Sequence, residues 1–143
     1  MLIAFNKPFN VLCQFTDRSE PPRRTLAEFG LPPGVYAAGR LDYDSEGLLI
    51  LTDDGELTQQ LTHPSHQIEK EYRVLLDDAP SADALRHWRE GVELEGVPTA
   101  PAWVDVLERV PEGVWVRVVL QEGRKRQIRE VAKLLGYEVL RLI

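Results

Sequence analysis

Cysteine is nearly absent from this chain. Cys13 stands alone among 143 residues, which excludes an internal disulfide framework and fits a reducing compartment. No apolar run approaches the roughly 20 residues needed to span a bilayer. The first residues, Met1-Leu2-Ile3-Ala4-Phe5-Asn6-Lys7-Pro8, lack the charged segment and long apolar stretch of a secretory signal, so a cytoplasmic location is expected. Neither GxGxxG nor a P-loop occurs, so no nucleotide cofactor is expected and the chemistry must rest on side chains. His63 and His66 invite a zinc reading, but no Cys pair or further His lies at ligand spacing, and no metal site is expected. An overall cationic excess is missing too: 17 Lys and Arg face 23 Asp and Glu, for a net charge of −6. That balance argues against a nucleic-acid partner until the charge is divided along the chain.

What is present is an ordinary globular composition, 43% hydrophobic, in a length that buries one core and suggests a single domain. The charge is unevenly placed. Residues 113–143 hold seven cations (Arg117, Arg124, Lys125, Arg126, Arg129, Lys133 and Arg141) against Glu122, Glu130 and Glu138. An acidic body with one basic segment can grip phosphate locally. The same charges equally describe a solvated helix face.

Interleaved strand and helix signals without regular βαβ spacing predict an α+β fold, a mixed but largely antiparallel sheet flanked by helices. Residues 2–6, 35–38, 48–51, 70–76, 102–107, 114–120 and 138–143 read as strands, and 10–15 as a further apolar run. Helices are expected at 56–62 behind Asp54, at 81–90 opening on Ser81, and at 127–135 before Gly136. Thr25 and Glu28 stand in capping-box register for one more helical segment. The spacing of Trp88, Trp103 and Trp115 suggests core residues.

The most informative stretch is 39–49, Gly-Arg-Leu-Asp-Tyr-Asp-Ser-Glu-Gly-Leu-Leu. It is a polar loop between two apolar runs, with a glycine near each end to permit backbone turns. Such a loop can hold Asp42 at the mouth of a sheet. Asp44 and Glu46 would allow a hydrolase carboxylate pair or a hard-cation site, but they read more simply as turn-capping residues along with Ser45. Asp42, drawn toward apolar surroundings by Leu41, would need a cationic partner to stay ionised. The segment 122–129, Glu-Gly-Arg-Lys-Arg-Gln-Ile-Arg, can supply one. Arg126, Arg129 and Lys133 share a helical face, with Ile128, Val131, Ala132 and Leu135 on the buried one. Arg124 and Lys125 at the helix start would suit a backbone phosphate. Tyr72 alternates with Lys70 on a strand and offers a ring for stacking, or simply packs half-buried.

Taken in order, Asn6-Lys7-Pro8, Gly39-Arg40-Leu41-Asp42, Lys70-Glu71-Tyr72, Gly123-Arg124-Lys125-Arg126-Gln127-Ile128-Arg129 and Leu140-Arg141-Leu142-Ile143 resemble the RsuA/RluB/RluE branch of the pseudouridine synthases. The resemblance runs from the first strand to the last residue. It is greatest toward the RluE-type large-subunit rRNA members, which lack the N-terminal S4 domain of their relatives. It implies the pseudouridine synthase fold with a catalytic cleft across the sheet, residues 1–143 being the catalytic domain. It implies no cofactor, and isomerisation of a uridine flipped out of ribosomal RNA, most simply large-subunit (23S) rRNA, by a monomeric enzyme. Within it, Asp42 matches the catalytic nucleophile, Tyr72 the tyrosine stacking on the base, and Arg129 the basic residue pairing with the aspartate. Arg40 matches the residue that opens the RNA and fills the vacated space, and Leu142 the apolar residue near the flipped base. Lys7, Arg124, Lys125, Arg126 and Gln127 fall in matching motifs and are expected at the substrate. The family continues past the residue matching Ile143, so a shortened C-terminal end is expected. A non-catalytic RNA-binding module of the same fold, acting in ribosome assembly, is the alternative.

Overall fold

A computed structural model describes all residues from 1 to 143. The chain forms two compact units, one of residues 1–66 with Ile143 and the other of residues 67–142.

The first unit is built on a three-stranded antiparallel sheet in the order β1-β3-β2, with β1 at Leu2–Lys7, β2 at Tyr36–Ala37 and β3 at Gly47–Thr52. Ile3, Phe5, Leu49 and Leu51 alternate toward one face and pack with Val11, Leu26 and Val35. Residues 10–15, expected as a further apolar run, contribute Val11 and Leu12 to the interior but make only one isolated parallel bridge, Leu12 with Thr25. Thr25 caps a 3₁₀ turn, Leu26–Phe29, by accepting from the Ala27 N–H at 3.2 Å. The expected capping box is only half formed, because the Glu28 carboxylate pairs with Arg24 at 3.1 Å. Helix α1, Gly55–Thr62, begins at Asp54 as its sequence requires: the carboxylate accepts from Glu56 and Leu57 N–H groups.

In the second unit a four-stranded antiparallel sheet runs β7-β8-β4-β9, from Trp103–Val110, Gly113–Leu120, Lys70–Leu76 and Val139–Leu142. Val114, Val116 and Val118 alternate inward along β8, opposite Leu76, Val74 and Tyr72 of β4. Helices α2 (Ala82–Glu90) and α3 (Gln127–Leu134) contribute Trp88, Ile128, Val131 and Ala132 to this core. Burying each aliphatic side chain contributes about 1.5–3 kcal/mol. A short hairpin, β5 (Glu93–Leu94) with β6 (Val97–Pro98), lies in the 91–102 stretch. The fold is α+β as expected, and every pairing between its strands is antiparallel. Two of the three tryptophans depart from expectation: Trp103 is 69% exposed, alternating away from the buried Val104, and Trp115 is half-buried, alternating away from Val114 and Val116; Trp88 alone joins the core.

Candidate active site

In the first unit, the loop between β2 and β3 carries Asp42. The backbone there takes positive φ at Gly39 (+92°) and Gly47 (+113°), which only glycine adopts cheaply. The Asp42 carbonyl accepts from Ser45 N–H at 3.0 Å, closing a turn whose Ser45 is buried. Asp42 is half-buried and Arg40 is exposed.

The residues on both sides of Asp42 are held from beneath. Leu41 is fixed by Cys13: its N–H donates to Sγ at 3.3 Å, and the thiol donates back to its carbonyl at 3.2 Å. Tyr43 is fixed by Lys7, whose ammonium donates to the carbonyls of Pro8 (2.7 Å), Val11 (2.8 Å) and Tyr43 (3.3 Å). Lys7 is fully buried, and three N–H donors meeting three carbonyls satisfy an ammonium that would otherwise be costly to bury. Burial lowers its pKa, while electrostatic interaction with Cys13 and with the carboxylates of Asp44, Glu46 and Asp42 pulls it back up. Burial likewise pushes the Cys13 thiol up. On the outer side, the Arg23 guanidinium lies 5.7 Å from the Tyr43 ring centroid. Asp17 orders that approach, accepting from the Arg23 side chain, the Arg23 N–H and the Ser19 hydroxyl. The Arg23 guanidinium holds its carboxyl well below the usual carboxylate range.

The second unit carries the remaining candidates. Tyr72 is half-buried on β4, and Leu142, itself buried, pairs with Val74 of the same strand. Arg126, Arg129 and Lys133 line one open depression together with Asp77, Glu130 and Glu138. Helix α3 begins at Gln127 behind Arg126, which takes a left-handed backbone (φ 51°) and makes no side-chain cap, since a guanidinium has no acceptor to offer. Lys125 is exposed, whereas Arg124 turns inward and donates to the carbonyls of Leu94 and Val97. Gln127 is buried, accepting from Arg124 N–H and donating to Glu122 at 3.0 Å.

Lys7, Arg124 and Gln127, expected at the substrate, are therefore bonded within the fold. Asp17 and Arg23 were not singled out by the sequence, and Cys13 was marked only as the lone cysteine; nothing local announces the Cys13 contact, whose partner lies 28 positions away. Lys70, noted only for its alternation with Tyr72, stands beside the basic loop, where a Cβ added at Gly123 would lie 3.8 Å from its ammonium.

The family model described as RNA pseudouridylate synthase matches residues 1–133. The chain belongs to that family. It is 49% identical to the ribosomal large subunit pseudouridine synthase E of Xanthomonas axonopodis pv. citri (strain 306), covering 100% of this chain and 83% of that protein. It is 42% identical to the protein of the same name from Vibrio parahaemolyticus serotype O3:K6 (strain RIMD 2210633), over 99% of this chain and 65% of that protein. Among solved structures, a crystal structure of pseudouridylate synthase superimposes with a TM-score of 0.82 at 32% identity, covering 99% of this chain and 60% of the other. The pseudouridine synthase is accordingly an isomerase.

Proposed function

We propose that this pseudouridine synthase isomerises one uridine of large-subunit ribosomal RNA, with Asp42 as the nucleophile toward the target nucleoside. The observation that supports this reading is the bracing of Asp42: Cys13 fixes Leu41 and Lys7 fixes Tyr43, on either side of the aspartate that resembles the family's nucleophile. A nucleophile gains most when its backbone is held still, because small displacements from the attack geometry are costly. Relatives at 42–49% identity carry the large-subunit name, which supports the choice of RNA.

The target uridine must leave its stack, at a few kcal/mol. Tyr72 offers a ring worth roughly 1–3 kcal/mol of stacking in return. Leu142 offers apolar surface to the base, Arg129 a cation, and Arg40 an exposed guanidinium for the opened RNA. Breaking the N-glycosidic bond and rejoining the uracil through C5 is redox-neutral: the C5 hydrogen leaves as a proton, N1 gains one, and no redox partner is needed. In this reading, residues 1–143 act as one catalytic domain, monomeric and cytoplasmic. Treating unmodified large-subunit rRNA with the chain, then mapping pseudouridine by carbodiimide adducts that arrest reverse transcription, tests it. One new arrest site is expected, and RNA bound without any arrest would instead identify a binding module.

A further inference from the structure

The basic loop and the β5–β6 hairpin are fastened together by one side chain. The Arg124 guanidinium donates from Nη2 to the Leu94 carbonyl and from Nη1 to the Val97 carbonyl at 3.0 Å, one acceptor on each strand of the hairpin. Those strands are two residues each, turning through Glu95 and Gly96 at φ 52° and 80°. A two-stranded hairpin of that size is not stable by itself in water. A second fastening runs through Glu122, which accepts from Ala100 N–H at 3.1 Å and from Gln127. A planar, permanently charged fork suits two carbonyls at fixed separation in a way that an ammonium does not. Engaged in this way, Arg124 is half-buried with its guanidinium committed to two carbonyls, and its neighbour Lys125 is the exposed cation of the pair.

We propose that Arg124 is a positioning residue: it locks the 121–126 loop to the β5–β6 hairpin so that Lys125 is displayed to an RNA phosphate. The proposal rests on the rRNA reading for its ligand, while the fastening itself can be read without RNA. It reverses the sequence-based assignment of Arg124 to the phosphate.

Hydrogen exchange over residues 92–99 of the free protein, with the salt dependence of rRNA-fragment binding, tests it in Arg124→Met and Lys125→Met. Exchange in Arg124→Met should be at least about tenfold faster, the opening that a lost fastening produces. Its slope of log affinity against log salt should match the parent, and KM should rise with kcat kept within about twofold. Lys125→Met should leave exchange unchanged and lower the slope by about 0.7–0.9, the value of one phosphate contact. Arg124→Lys, which retains charge without the fork, should exchange fast with the parental slope, and it serves if the Met variant fails to fold. A slope lowered in Arg124→Met, or exchange left at the parental rate, would overturn the proposal. A parent that binds no rRNA would remove the display to phosphate along with the rRNA reading, and exchange alone would then judge the fastening.

Discussion

Lys7 and Tyr43 are joined across 36 positions of sequence by a hydrogen bond of 3.3 Å from a buried ammonium to a backbone carbonyl. The bond places a fully enclosed cation directly under the loop that bears Asp42, Asp44 and Glu46, the three carboxylates that act on it electrostatically. The sequence order of a Lys-Pro pair followed by a distant acidic loop thus becomes a mechanical relationship: the first strand ends by supporting the loop between the second and third.

Replacing Lys7 with Met keeps the apolar stem and leaves buried carbonyls short of a donor, a loss of about 1–3 kcal/mol. Urea unfolding should show that loss as a lower midpoint. Because Tyr43 adjoins Asp42, turnover should fall as well, by about 100-fold if the carboxylate moves by an ångström.

Asp17 supplies a pH signature. Its folded pKa lies below the unfolded value of 3.8, chiefly through Arg23. The unfolded chain therefore takes up a proton first as pH falls, so the contribution of Asp17 is fully present above 3.8 and is lost as pH drops through the folded value. The difference in thermal midpoint between the parent and Asp17→Asn should hold steady from neutral pH to about pH 5 and shrink below it. A difference independent of pH would contradict the assignment.

Gly113 opens β8 where no side chain fits: an added Cβ would lie 1.9 Å from the Leu76 carbonyl oxygen. Gly113→Ala must displace β4 or β8, and overpacking of this kind costs about 1–3 kcal/mol. Denaturant titration should show the loss with far-UV circular dichroism retained.

Much of the architecture was legible because its signals are local. Strand 70–76 carries its own alternation, and α1 and α2 announce their starts with Asp54 and Ser81, whose side chains accept the first free N–H groups. The loop of Asp42 was legible for the same reason, a polar insert between apolar runs. What escaped depends on pairs distant in sequence. Nothing near Lys7 says that it meets Tyr43, and nothing near Arg124 says that its fork meets carbonyls 27 and 30 positions earlier. Trp103 and Trp115 were misplaced because spacing along the chain cannot reveal which of the two alternating faces of their strands meets the core.

Tritium release from C5-labelled uridine in large-subunit rRNA, comparing the parent with Asp42→Ala, tests the central claim most directly. Rejoining uracil through C5 must expel the C5 hydrogen, so the parent should release one tritium per modified site. Asp42→Ala, folded to the same thermal midpoint, should release none. Release by the variant at the parental rate would contradict Asp42 as the nucleophile, and no release by a parent that binds the RNA would contradict isomerisation by this chain.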